Sequence, residues 1–287
     1  MTDFIYIIYA AAAGIVQGIT EWLPVSSTGH LILMDSLVGG NLSPSVMTES
    51  FKNLFDVVIQ LGSVAAVIVL YFKRLFPFLP SKNGEERKEA LSLWEKIILA
   101  SIPAGAAGLL LDDFLSEHVF SGERSKFIVA ASLFFYGVIF IVIERRRREK
   151  NCEITSPEMI DRRAALVTGA FQILSLIPGT SRSGSTIIGA SAAGVSRSAA
   201  AEFSFFLAIP VMFGASALKC VKFFLADETL STVQIEVLAV GSASAFFVSL
   251  ATVKFLVGFV KRRGFEPFGW YRIALSVATA VYFSFLK

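Results

Sequence analysis

Pro24-Val25-Ser26-Ser27-Thr28-Gly29-His30 and Pro178-Gly179-Thr180-Ser181-Arg182-Ser183-Gly184 are polar stretches set in apolar sequence, and each looks like a version of the other. A Gly-x-x-Gln precedes both, Gly14 to Gln17 before the first and Gly169 to Gln172 before the second. Hydroxyls, a histidine and an arginine are costly at membrane depth, so such residues there point to function. Two copies of one stretch read as a single site built by an internal repeat. Aligned on their prolines, Pro24, Ser26 and Ser27 face Pro178, Thr180 and Ser181, with one residue deleted after the Gly-x-x-Gln. Thr28 then stands opposite Arg182, and His30 opposite Gly184.

The surrounding composition sets the class. Of 287 residues, 54% are hydrophobic and only 17% charged, and the mean hydropathy is +0.66. Soluble domains carry about 25% charged residues. Six runs approach the ~20 residues that a membrane helix needs: 54–72, 97–112, 127–143, 203–222, 235–258 and 269–286, with Pro103 a kink in the second. The net charge of +3 is placed in loops between these runs, which argues against a nucleic-acid role. Cys152 and Cys220 build no disulfide framework. No basic region precedes the apolar residues 4–16, so they do not read as a cleavable signal.

Charge placement orients the chain. Basic residues crowd 73–96 (Lys73, Arg74, Lys82, Arg87, Lys88, Lys96) and 144–163 (Arg145 to Arg148, Lys150, Arg162, Arg163). A third group is Lys261, Arg262, Arg263 and Arg272. The positive-inside rule puts these three in the cytoplasm, opposite the more acidic 113–126 and 223–234. Residues 164–198 must then enter and leave from the cytoplasmic side, and residues 1–50, which hold no lysine or arginine, from the outer side. The reading is an all-α polytopic membrane protein: six transmembrane helices plus two re-entrant helical hairpins in an inverted-topology repeat. It is a single membrane domain over 1–287, with halves of approximately 1–143 and 160–287. Broken backbone at membrane depth needs burial or a wet cavity, so the polar turns should meet near the midplane.

The two copies divide the chemistry. Arg182 is a fixed cation with a planar fork suited to phosphate, and the hydroxyls of Thr180, Ser181, Ser183, Ser185 and Thr186 surround it. Gly179 and Gly184 let backbone N–H groups approach an anion, and a helix starting at Ser183 would favour one at its N-terminus. The bland reading is that small hydroxylated residues merely pack helices closely; it does not account for the arginine. In the first copy, Ser26, Ser27 and Thr28 lie just before His30, the better placed of two histidines, since His118 falls in the outer loop. A hydroxyl nucleophile needs a base within reach, and histidine serves near neutral pH. Gln17 and Glu21 share a helix face, where the Glu21 carboxylate could hold a divalent cation or orient His30. Asp56, Gln60, Ser63, Arg197, Glu202 and Lys254 are weaker candidates, with Arg197 and Glu202 read as a simple pair. Trp22, Trp94 and Trp270 read as interfacial anchors.

Gln17-Gly-Ile-Thr-Glu21, Leu23-Pro-Val-Ser-Ser-Thr-Gly-His30 and Pro178-Gly-Thr-Ser-Arg-Ser-Gly-Ser-Thr186 together resemble the bacterial undecaprenyl-pyrophosphate phosphatase family, also called the bacitracin-resistance protein family. Its (Glu/Gln)-x-x-x-Glu and Pro-Gly-x-Ser-Arg-Ser-x-x-Thr motifs are both present. The likeness extends through Phe55 to Ser63 and Ala201 to Pro210. It implies hydrolysis of undecaprenyl diphosphate to undecaprenyl phosphate and phosphate in the bacterial inner (plasma) membrane. This recycles the lipid carrier for peptidoglycan and confers resistance to bacitracin, which competes for the diphosphate. It also implies dependence on Mg2+ or Ca2+. Catalysis is expected from Glu21, Ser27, His30 and Arg182, with Glu21 the candidate metal ligand. Phosphate binding is expected from Gln17, Ser26, Thr28, Thr180, Ser181, Ser183, Ser185 and Thr186. Gln17 stands where many members carry Glu, which weakens two-carboxylate metal binding. The nucleophile is open between Ser27, His30 and water, and the oligomeric state between monomer and homodimer.

Two other functions fit parts of the pattern. An undecaprenyl phosphate transporter would use the same midplane site, because broken helices in inverted repeats are a transporter trait. An intramembrane serine protease would use Ser27 and His30, but leaves Arg182 and Glu21 without roles. The other membrane lipid-phosphatase superfamily needs a second catalytic histidine and a Lys-x6-Arg-Pro motif, neither apparent here.

Overall fold

Helix starts are written into the sequence as capping residues. Thr48, Asp161, Ser196 and Ser231 each accept the backbone N–H three residues on, and Gln234 completes a capping box with Ser231. Asn83 does the same for Glu86, whose side chain returns the bond to Asn83 N. Such caps satisfy backbone donors that a helix leaves orphaned. The computed structural model describes residues 2–38, 42–43, 46–118, 124–147, 152–226 and 228–286. Its helices are α1 (Thr2–Thr20), α2 (Ser27–Val38), α3 (Glu49–Leu70), α4 (Phe72–Leu75), α5 (Gly84–His118), α6 (Arg124–Arg147), α7 (Arg162–Gln172), α8 (Arg182–Ala192), α9 (Arg197–Leu225), α10 (Thr232–Arg263) and α11 (Glu266–Val281). A π-turn, Tyr282–Leu286, continues α11. No β-strand occurs among the described residues; an isolated parallel bridge joins Ile154 to Val195.

Five of these helices are long and apolar enough to cross a membrane: Glu49–Leu70, Gly84–Leu111, Lys126–Arg146, Arg197–Leu225 and Thr232–Arg263. The sixth expected span, 269–286, coincides with α11 and its π-turn, and α11 itself has only 16 residues. The expected loop 73–96 is partly helix, because the Asn83 cap starts α5 ahead of the apolar run; Arg87, Lys88 and Lys96 therefore sit on α5. Pro103 and Pro210 lie inside continuous helices. The expected outer loop 113–126 and basic loop 144–163 lie partly outside the described residues, as does the side chain of His118.

Packing follows an exchange pattern. The first helix of each expected half lies against a long helix of the other: α1 on α10, and α7 on α5. Glycine sets both approaches. A Cβ on Gly14 would stand 2.3 Å from Gly241 O, and one on Gly169 would stand 2.3 Å from Ala100 O. α3 also packs on α9 and α6 on α11, and in the second pair Gly137 and Gly269 meet each other's backbone. Gly169→Ala is therefore expected to force α5 and α7 apart and cost about 1–3 kcal/mol, as over-packing does. Gly105→Ala on α5, where a Cβ would meet nothing within 4 Å, is the control. Melting midpoints of the two variants in detergent check this; equal midpoints would remove the packing argument.

At the centre runs α9, buried continuously from Phe203 to Ile209. An all-round apolar helix belongs in a core. Its polar flanks make ion pairs other than the expected Arg197–Glu202 pair. Arg197 pairs with Glu144, which also accepts Phe265 N–H at 3.1 Å. Glu202 pairs with Arg74, whose fork also grips Glu158. Burial pushes the Glu158 carboxyl up, and the Arg74 hydrogen bonds outweigh it, so it lies below the usual carboxylate range. Cys152 and Cys220 are not joined in a disulfide.

Candidate active site

Each polar stretch folds as a helix, a turn and a second helix. Pro24 has no N–H to continue α1, and Ser26 then adopts φ 74°. Its hydroxyl caps α2 by accepting Gly29 N–H at 3.2 Å. In the second copy, Ser181 also adopts φ 74° and caps α8 through Gly184 N–H at 3.1 Å. Positive φ in a residue with a side chain costs of order 1–3 kcal/mol and collects at functional sites. These matched caps correct the alignment made on the prolines. Gly14 to Gly169, Gln17 to Gln172, Ser26 to Ser181 and Gly29 to Gly184 all have one spacing, so nothing is deleted and the prolines are the residues out of step. Ser27 is the true counterpart of Arg182.

The two turns meet around Glu21. Its Oε2 accepts hydrogen bonds from Ser27 Oγ at 2.8 Å and Gln17 Nε2 at 3.0 Å. Its Oε1 faces Arg182 Nη2 at 3.2 Å, an ion pair with side chains only 4% and 9% exposed. Arg182 Nη1 donates to Ser204 O on α9 at 2.7 Å, and the guanidinium lies 5.9 Å from the Trp22 ring centroid. Trp22 is thus buried between Arg182 and Phe205, in edge contact with the latter, and is not an interfacial anchor. Trp94 donates to Leu75 O, while Trp270 is exposed.

A cavity of about 160 Å³ opens on this cluster. Glu21, Ser26, Ser27 and Thr28 line it from the first turn, Ser181 and Arg182 from the second, and Gln60, Met212 and Ala215 from α3 and α9. The N-termini of α2 and α8 lie at the two turns, where partial positive charge favours an anion.

Other expected site residues have different tasks. Ser183 Oγ donates to Glu21 O at 3.0 Å and Leu23 O at 3.3 Å, tying the turns together. Ser185 Oγ donates to Ser181 O, and Thr186 Oγ1 pairs with Ser204 Oγ at 2.7 Å. Thr180 is fully buried, and Gln17 sits behind Glu21. None of these five lines the cavity. His30 is also outside it. Its Nδ1–H donates to Ser26 O at 2.7 Å, and Nε2 lies 2.7 Å from the Tyr271 hydroxyl, the two rings stacked. Ser27 therefore has Glu21, not His30, as its hydrogen-bonded base.

Arg272, counted above among the cytoplasmic loop charges, is fully buried on α11. It donates to Pro24 O at 3.0 Å, Gly179 O at 2.8 Å and Thr180 O at 3.0 Å. The missed signal was Pro267, two residues into a new helix, which places Arg272 past its first turn.

A cavity that joins a paired arginine, a hydroxyl on a carboxylate and two helix N-termini suits a phosphorylated ligand. Comparison with known proteins agrees in kind. The family described as bacitracin resistance protein BacA matches residues 10–278. An undecaprenyl-diphosphatase of Enterococcus faecalis (strain ATCC 700802 / V583) is 48% identical over 276 residues, covering 96% of this chain and 97% of the relative. The undecaprenyl-diphosphatase of Limosilactobacillus fermentum is 47% identical, covering 98% of each. That of Acetivibrio thermocellus is 47% identical, covering 96% and 97%. A match of this extent, with both motif stretches inside it, makes the chain a member of the bacitracin resistance protein family.

Proposed function

We propose that the protein hydrolyses undecaprenyl diphosphate to undecaprenyl phosphate and inorganic phosphate. In doing so it recycles the lipid carrier for peptidoglycan and confers resistance to bacitracin, which binds the same diphosphate. The observation that carries this reading is the Ser27–Glu21–Arg182 cluster facing one cavity in a chain nearly half identical to diphosphatases along its length. The relatives' names give no support to a carrier of undecaprenyl phosphate.

The chemistry follows the contacts. Arg182 and the two helix N-termini hold the terminal phosphoryl group, where charge stabilisation is the main need. Ser27 Oγ attacks phosphorus as Glu21 Oε2 accepts its proton. A P–O bond forms to Ser27, the bridging P–O bond breaks, and undecaprenyl phosphate leaves. Water then attacks the phosphoserine: its oxygen bonds phosphorus, the P–O bond to Ser27 breaks, Glu21 Oε2 returns the held proton to Ser27 Oγ, and the water's protons leave with the inorganic phosphate. The apolar Val211, Met212 and Ala215 on the α9 wall suit the prenyl end.

A divalent cation, Mg2+ or Ca2+, fits the donors beside the cavity. Glu21 offers a carboxylate, and Gln17 Oε1 is buried without a hydrogen-bond partner. These ions take oxygen ligands, commonly one or two carboxylates plus substrate phosphates. Among the described residues no group of three or more His, Cys, Asp or Glu could hold a metal, so Glu21 would hold it on the cavity side together with the diphosphate, with Gln17 Oε1 a further donor from behind. When bound, the ion would neutralise diphosphate charge.

In the bacterial plasma membrane, α3, α5, α6, α9, α10 and α11 would span, and α1–α2 and α7–α8 would be re-entrant hairpins from opposite faces. The exchange packing of α1 on α10 and α7 on α5 supports such an inverted repeat. Phosphate release from C55 and shorter prenyl diphosphates by the purified protein tests the activity, and a chelator tests the cation. No release above an Arg182→Ala control would defeat the first reading; release indifferent to chelator would defeat the second.

A further inference from the structure

Arg272 is a fully buried arginine that reaches both turns from outside them. It stands on α11, outside either polar stretch, with no carboxylate on its guanidinium among the described residues. Its three hydrogen bonds end on Pro24 O of the first turn and on Gly179 O and Thr180 O of the second. The ring of Tyr136 on α6 covers it, 5.6 Å from centroid to guanidinium carbon. Next to it, Tyr271 holds His30 on α2. Burying a cation costs several kcal/mol unless its geometry is well satisfied, and a residue that only filled space between helices could be apolar.

We propose that Arg272 is a positioning residue, fixing the first turn, with Glu21 and Ser27, at its working separation from the second, with Arg182. The halves of the reaction sit on different turns, so their separation decides whether the nucleophile and the phosphate clamp share one phosphoryl group. The planar fork suits this task, since one rigid group reaches carbonyls on both sides. Lysine presents a point charge on a flexible stem and cannot hold two turns at a set distance.

The catalytic part of this inference rests on the proposed hydrolysis; the structural part does not. Nitroxide labels at Thr28→Cys and Ile177→Cys, both exposed residues on the cavity, in a Cys152→Ser, Cys220→Ser background, report the inter-turn distance by pulsed electron resonance. With Arg272 present the distribution should be narrow. With Arg272→Lys or Arg272→Met it should broaden or shift. In unlabelled protein, normalised to the folded, monodisperse fraction, kcat should fall about 100-fold, the effect of a 1 Å misplacement, with KM changed less than threefold. Arg272→Lys should retain more activity than Arg272→Met. A merely structural arginine would lower the melting midpoint yet leave the distance and kcat of folded enzyme unchanged, and that result overturns the proposal. If Arg272→Met does not fold, Arg272→Lys decides. If the wild type releases no phosphate, the hydrolysis reading fails, and the distance measurement still judges Arg272.

Discussion

Arg182→Ala is expected to lower kcat/KM for phosphate release by about 1000-fold, within the range attributed to arginines that stabilise phosphoryl transfer. Arg182 is the cation on the cavity that pairs with the proposed base. Its planar fork is already aimed by Ser204 O on one side and Glu21 on the other. Stabilisation by a group fixed before the reaction costs no reorganisation during it. Arg182→Lys keeps the charge and loses the fork, so it should fall between the alanine variant and the wild type. Steady-state kinetics on the folded fraction checks both. Alanine activity within tenfold of wild type would remove Arg182 from the phosphate clamp.

Glu21→Gln should reduce kcat by about 100- to 10,000-fold, the usual contribution of a positioned base. Glutamine keeps the size and one carbonyl acceptor, but cannot take the Ser27 proton at neutral pH. It also leaves Arg182 without its ion-pair partner in a nearly dry place. Breaking a buried pair by neutralising one member costs about 3–5 kcal/mol, so the melting midpoint should fall as well. Glu21→Asp separates the two effects: it preserves charge but shortens reach to Ser27 Oγ, so stability should recover more than turnover. If Glu21→Gln turned over normally, water or His30 would have to replace the Glu21–Ser27 pair in the mechanism.

The repeat and its meeting of polar turns were legible because glycine, glutamine and small hydroxyls are rare together in apolar sequence. The prolines put the register out by one residue. A proline can sit on either side of a turn, whereas the capping serine at positive φ, Ser26 or Ser181, cannot move without losing its cap. Arg272 was hidden by counting cations toward the nearest loop; only the helix start at Glu266 reveals that it lies inside. Nearness in sequence suggests His30 as the partner of Ser27, but residues three apart on α2 need not share a partner, and Tyr271 from α11 takes the ring. The hydroxyls of Ser183, Ser185 and Thr186 look like phosphate ligands in sequence, and burial on α8 gives them backbone and serine partners instead.

The glycine contacts between α1 and α10 also set an order of assembly. The first hairpin is made at the start of synthesis, yet the surface that receives Gly14 arrives with Gly241, after most of the chain. Glu21 has no cation partner until Arg182 is made, and α1 has no surface for Gly14 until Gly241 follows, so the nascent hairpin first carries its polar turn uncompensated. The second hairpin is not in this position, since α5, which receives Gly169, precedes it. Synthesis order is therefore asymmetric where the finished packing is matched: α7 follows the helix that receives it, and α1 precedes its own.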